Sequence, residues 1–179
     1  MFSGLPVQPA EETPKQEEVQ VDNQPQPKTK KESPARLASE LIKVCAHLTQ
    51  LQIQAHLVHL NFEGGNFHGI HRFTRKQYRQ HQEQFDRVGE LIRSLDFLLP
   101  MCSKGLLGTC KGFKHIESYD AKGMLVPYIT NLEALGTMLK KVIKLSQKED
   151  APDVENYLAQ LVEEMFIASW QVKATLRNM

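Results

Sequence analysis

Two histidines, His59 and His71, bound the segment "HLNFEGGNFHGIH", residues 59–71. Imidazole is a metal ligand and a proton carrier near neutral pH. Fifteen residues after His71 stands Asp86, and four residues later Glu90, in "DRVGE". On a helix, Asp86 lies about 60° round from His71 and Glu90 about 100°, so all three project to one side. Mixed imidazole and carboxylate donors suit a borderline divalent ion such as Fe(II) or Zn(II). Along the axis, however, His71 and Asp86 are about 22 Å apart at about 1.5 Å per residue. Metal–ligand bonds are only roughly 2 Å long, so one chain cannot close that gap. Two chains can, if they pair about a two-fold axis with these helices antiparallel. His59 and His71 of one subunit then face Asp86 and Glu90 of the other, and an isologous interface carries two such sites. The Gly64-Gly65 break lets one helix end and the next begin with both histidines in one place.

The elements that must hold these residues are helices. Leu37, Leu41, Val44, Leu48, Leu51, Ala55, Val58 and Phe62 alternate in steps of four and three, which is one stripe of a first helix. It stops at Gly64-Gly65. A second helix starts near Asn66, read as its N-cap, with Tyr78, His81, Phe85, Val88, Ile92 and Leu95 inward. A third runs from about Leu125 through Tyr128, Leu132, Leu135, Leu139 and Val142. A fourth follows "EDAPD", capped by Asp153, with Val154, Leu158, Leu161, Met165, Ala168 and Val172 inward and Trp170 read as core. No strand-like alternation interrupts them. Residues 97–123 form a loop too long for an ordinary connection. In an all-α four-helix bundle such a loop is the single long crossover, here between helices 2 and 3, as in ferritin-like folds. "SKGLLGTC" is expected to form a short helix inside it.

Bulk composition narrows the class further. The 179 residues carry a net charge of +1 and 41% hydrophobic residues, which fits one packed domain and does not by itself predict binding to nucleic acid or acidic substrates. No run reaches the roughly 18 apolar residues of a membrane span, and no secretory leader is read at the start. Cys45, Cys102 and Cys110 lack disulfide or zinc-knuckle spacing, so free thiols in a reducing cytoplasm are expected. Residues 1–35 hold six of the nine prolines and many Gln and Glu, and read as a disordered tail before a folded domain at 36–179. Lys28, Lys30, Lys31 and Arg36 cluster where the tail meets that domain and are the candidate DNA-phosphate contacts.

The combined pattern of His59, the glycine break, Phe67, His71, Asp86 and Glu90 resembles the signature of the Dps family, the DNA-binding proteins from starved cells. The resemblance spans about residues 36–177. It implies a ferritin-like fold, a hollow dodecamer built from two-fold dimers, and a ferroxidase site at His59, His71, Asp86 and Glu90 shared between two subunits. It further implies that Fe(II) is oxidised, preferentially by hydrogen peroxide, and stored as ferric mineral. DNA is thereby protected from hydroxyl radicals, in the cytoplasm and close to the nucleoid. Glu149, Asp150, Asp153 and Glu155 then fall where subunits meet at three-fold pores, and their clustered charge draws cations inward. The same residues otherwise read as an ordinary acidic loop and helix start.

Three positions depart from the family pattern: Leu60 replaces a tryptophan, Arg75 an acid, and Gly89 an alanine. Arg75 disfavours a tightly held second iron. His47, His56, His68, His81 and His115 read as ordinary hydrogen-bonded core or surface histidines. A different class of function also fits: a ferritin-like cage that binds or shields DNA, weakly and without sequence preference, with a weak or absent metal centre.

Overall fold

A computed structural model describes residues 32–177, with side chains from residue 35. Five helices follow in order: α1 (Glu32–Asn61), α2 (Phe67–Ser94), α3 (Ser103–Leu107), α4 (Ala121–Lys148) and α5 (Pro152–Leu176). There is no strand among the described residues. The helix α1 packs against α2 and α4, and α4 packs against α5. The short α3 sits in the crossover from α2 to α4 and leans on α1. This is the ferritin-like bundle with one long connection.

The predicted stripes are the core. Leu41, Val44, Leu48, Leu51, Ala55 and Val58 of α1 have no solvent exposure, and neither do Leu132, Leu135, Leu158 or Leu161. On α2 the inward row is more polar than expected. Ile70, Val88, Leu91 and Ile92 are buried, but so are Thr74, Gln77, His81 and Gln84. Tyr78, Phe85 and Leu95 sit at its margin, half-buried against the cluster.

The helix ends differ from expectation in three places, and one core residue moves outside. Asn66 precedes α2, yet its side chain makes no capping bond; its backbone carbonyl accepts from Ile70 N at 3.0 Å instead. Asp153 does not cap α5, because Pro152 already occupies the first helical turn after Ala151. A proline's fixed φ suits that position. Asp153 falls inside the turn, where its charge favours the helix dipole. The helix α4 begins at Ala121, before Leu125, because Asp120 caps it by accepting from Gly123 N at 2.8 Å. Trp170 is not core: it is 61% exposed. Two residues past buried Ala168 is about 200° round the helix, the opposite face.

The carboxyl end of α2 is closed by paired backbone bonds. Asp96 N donates to Arg93 O at 3.0 Å and Phe97 N to Ile92 O at 3.2 Å, with Asp96 at φ +65°. This is the Schellman arrangement, with aspartate in the left-handed position that glycine usually takes.

Candidate metal centre

The glycine break does what the histidine spacing requires. Helix α1 closes with Phe62 N donating to Val58 O at 2.9 Å, and Phe67 N donates to Gly64 O at 3.1 Å. Gly64 stands at φ +129°, a conformation that side chains other than glycine's rarely tolerate. The tight turn brings the last turn of α1 against the first turn of α2.

There His59 and His71 hold each other. The Nδ1 of His59 lies 2.8 Å from the His71 carbonyl oxygen, and the Nδ1 of His71 lies 2.9 Å from the His59 carbonyl oxygen. A carbonyl only accepts, so each Nδ1 carries the proton and donates it. In the neutral ring each Nε2 then keeps its lone pair, the tautomer a metal ligand needs. The rings stack with centroids 3.7 Å apart at 22°. His59 is 9% exposed and His71 is half-buried.

An aromatic shell surrounds the pair. Phe67 stacks on His71 at 5.0 Å, and Tyr78 meets the edge of His59 at 5.6 Å. Tyr78 also stacks on His56 at 4.3 Å, and His56 is 6.1 Å from His59. By periodicity Tyr78 is a core position, and Phe67 belongs to the motif without a further role. Their spacing held the signal: Phe67 is one turn before His71 and Tyr78 two turns after it, both on its face.

Asp86 and Glu90 lie exposed on the carboxyl half of α2. They line a shallow cleft with Phe85, Gly89 and Leu99. Glu90 Oε2 accepts from Arg87 Nη1 at 3.0 Å. That pair is solvent-exposed, so it holds the carboxylate by only about 0–1 kcal/mol. Among the described residues, no three His, Cys, Asp or Glu side chains of one chain gather as a metal site. One chain thus brings the two histidines together and leaves the two carboxylates apart from them.

The remaining histidines divide by environment. His81 is fully buried, with Nδ1 2.8 Å from Gln84 Oε1 and Nε2 2.9 Å from the Tyr128 hydroxyl. Burial lowers its pKa to about 4, against the pull of the Gln84 bond and Glu164. Gln84 Nε2 continues the chain to Glu164 Oε2 at 2.7 Å. The same burial raises the Tyr128 pKa well above its ordinary value. His47 is buried with its Nδ1 3.1 Å from Cys110 Sγ, and burial lowers its pKa. His68 and His115 are exposed.

The acidic residues cluster around the α4–α5 turn. Glu149 ends α4, Asp150 sits at φ +54°, and Asp153 and Glu155 fall in the first turn of α5. Glu155 Oε1 accepts from Gln147 Nε2 at 2.6 Å. Lys28, Lys30 and Lys31 lie outside the described residues. Arg36 is exposed and shares a cleft with Lys141, Lys144 and Lys148, a basic extension that the sequence alone did not place beside it. No helix is long and apolar enough to cross a membrane among the described residues.

Residues 38–179 match a family model described as a ferritin-like domain. Comparison of the sequence with curated proteins gives no match. Among solved structures, a Dps protein from Bacillus brevis superposes with a TM-score of 0.78 at 18% identity, covering 83% of this chain and 99% of that one. Dps from Vibrio cholerae O1, described as a member of a broad superfamily of ferritin-like diiron-carboxylate proteins, gives 0.75 at 18%, covering 80% and 91%. Dps from Listeria innocua soaked with zinc gives 0.74 at 21%, covering 78% and 95%. At these identities the likeness is one of fold, and with the family match it makes this chain a member of the ferritin-like family with the bundle of the Dps proteins.

Proposed function

We infer that the chain is the subunit of a Dps-type ferroxidase. The observation that carries this reading is the reciprocal His59–His71 pair, which fixes both Nδ1 atoms on backbone carbonyls and leaves two Nε2 donors free. Two chains pair with α2 antiparallel, so that the histidines of one meet Asp86 and Glu90 of the other. Fe(II) is the substrate. Hydrogen peroxide takes one electron from each of two Fe(II) ions and, with two protons, leaves as two waters. The ferric product is stored in a hollow dodecamer, and DNA is spared the hydroxyl radicals that free Fe(II) and peroxide make. Support for self-association comes from Ile53, Leu57 and Leu60, spaced along one face of α1 and about half exposed or more. Glu149, Asp150, Asp153 and Glu155 are the proposed inward route for iron. Lys28, Lys30, Lys31 and Arg36 are the proposed DNA contacts, many copies supplying avidity. The cytoplasm, beside the nucleoid, is the proposed location.

The second reading, a DNA-shielding cage with a weak metal centre, draws on the Arg87–Glu90 bond and on Arg75, one turn after His71. Iron-dependent peroxide consumption supports the first reading, whereas a salt-sensitive DNA mobility shift without it supports the second. Subunit mixing tests the shared site directly. One variant carries His59→Ala and His71→Ala, the other Asp86→Ala and Glu90→Ala; each alone oxidises Fe(II) poorly. After unfolding, mixing and reassembly, about half the dimers are mixed, and one of their two sites holds all four ligands. Roughly a quarter of wild-type activity returns if distant sites act independently. No return, with assembly confirmed, sinks the shared site.

A further inference from the structure

The cleft between α2 and α5 carries a charge pattern that neither helix explains. Arg72, Arg75, Lys76, Arg79 and Arg87 of α2 line an opening of about 1030 Å³. All five are exposed. Arg72, Lys76, Arg79 and Arg87 follow one another along the same side of the helix. Tyr157 and Gln160 of α5 form the facing wall.

Four of these five cations lack an acidic partner. Among the described residues the ion pairs are Lys43–Glu40, Arg87–Glu90 and Lys173–Glu133, so Arg72, Arg75, Lys76 and Arg79 have none. The cleft's two carboxylates are Glu83 and Glu164. Both oxygens of Glu164 are already engaged, by Gln84 Nε2 at 2.7 Å and Gln160 Nε2 at 2.8 Å.

Helix formation selects against this arrangement. Arg72–Lys76 and Arg75–Arg79 are like charges four apart, and Arg72–Arg75 and Lys76–Arg79 are like charges three apart, both repulsive spacings. They begin in the second turn of α2, and the first turn has no acid to offset them. The lysines of α4 make the contrast. Lys148 lies in its last turn, where the dipole favours a cation and its placement has a local reason. Arg79 is also held over the Tyr78 ring, 6.0 Å from its centroid, and Arg87 over Tyr157 at 5.8 Å.

We propose that the α2–α5 cleft binds a chain of linked phosphoryl groups, either a short inorganic polyphosphate or the triphosphate of a nucleotide. Guanidinium forks match phosphate oxygens two at a time, and several forks in a row match an oxyanion with several charged groups. From Arg72 to Arg79 the helix rises about 10 Å, a row suited to linked phosphoryl groups more than to one carboxylate. Occupancy cancels the like-charge repulsion, so the ligand stabilises the fold it binds. The inference needs neither iron nor the four ligand residues, although Arg75 stands one turn after His71, beside the proposed iron site.

Titration calorimetry of the full chain with sodium tripolyphosphate at low ionic strength tests it. One site per chain is expected. The triple variant Arg72→Gln, Lys76→Gln, Arg79→Gln weakens binding roughly tenfold or more, while Lys141→Gln, Lys144→Gln, Lys148→Gln leaves it nearly unchanged. A second readout needs no variant: saturating tripolyphosphate slows acetylation of Lys76 several-fold and leaves Lys144 unprotected. Competition by ATP for the same site supports the nucleotide source; tripolyphosphate binding without ATP competition supports the inorganic one. Absence of binding, equal weakening by both triple variants, or equal protection of Lys76 and Lys144 overturns the proposal. So does duplex DNA binding that needs Arg72, Lys76 and Arg79 when tripolyphosphate does not bind, since that assigns the row to a nucleic-acid backbone.

Discussion

Two histidine environments share α2, and they differ in what is left over. At His81 both ring nitrogens are engaged, one by Gln84 and one by Tyr128, and the ring has no exposure. At His71, as at His59, only Nδ1 is engaged, and the bond goes to backbone. The first arrangement spends every polar atom on the fold. The second fixes the ring and keeps a donor in reserve. The inventory of each ring's bonds, more than its burial, separates a packing histidine from a candidate ligand, because a buried polar group is costly only when unpaired.

The largest expected break in that comparison concerns activity. His59→Ala with His71→Ala is expected to lower Fe(II) oxidation by about two orders of magnitude, as loss of metal ligands or their partners commonly does. Folding, read by circular dichroism, is expected to survive, because His71 and the helix ends around it are near the surface. Retained oxidation in a correctly folded double variant removes the pair from the site.

His81→Ala is expected to do the reverse. It leaves the Tyr128 hydroxyl and the Gln84 amide short of a partner and opens a cavity in the core, a loss of about 3 kcal/mol by the usual costs of each. Denaturant unfolding measures this. Oxidation per assembled subunit is expected to stay near wild type. A loss of activity without a loss of stability makes His81 part of the iron chemistry and collapses the distinction.

The pH dependence of stability sharpens it. Folded His81 takes its proton only near pH 4, whereas the unfolded chain takes it at the ordinary value of 6.5. Above pH 6.5 both states are neutral there and the residue adds no pH dependence. Below that, the unfolded chain gains the proton first, so stability falls as pH drops toward 4. The loss accumulates at about 1.4 kcal/mol per pH unit, to about 3 kcal/mol in all. His81→Gln is expected to lack this component, so its unfolding free energy changes less between pH 7 and 4 than that of wild type.

The sequence carried the bundle well because its signal is periodic. The α1 stripe from Leu37 to Phe62 is buried throughout, and the long crossover lies where the gap between stripes put it. What it carried poorly depends on single side chains. Trp170 looked like core by residue type, yet its position on α5 faces away from the stripe. Asp153 looked like a cap, but Pro152 had already started the helix. Asp120, the residue that does cap α4, stood in what read as loop. At the candidate centre, spacing put His59 and His71 together. It gave no hint that each ring would bond the other's carbonyl, because that depends on the exact turn geometry at Gly64. The pairing of Glu90 with Arg87 is likewise a choice among rotamers that spacing leaves open.

The smallest effect concerns the backbone between the two carboxylates. Gly89 lies inside α2 between Asp86 and Glu90, and glycine in a helix interior is less favourable than alanine by about 1 kcal/mol. An added Cβ meets nothing closer than Leu99 Cδ2 at 3.7 Å, an ordinary contact. Neither a positive φ nor a close approach therefore requires glycine here. Gly89→Ala is expected to raise stability by about 0.5–1 kcal/mol, measured as a shift in the denaturant midpoint with an unchanged slope. A destabilised variant shows that the space at Gly89 is taken in the assembled protein, by the partner helix that the shared site requires. Stabilisation of the assembly leaves that helix room and places its closest approach at the carboxylates on either side.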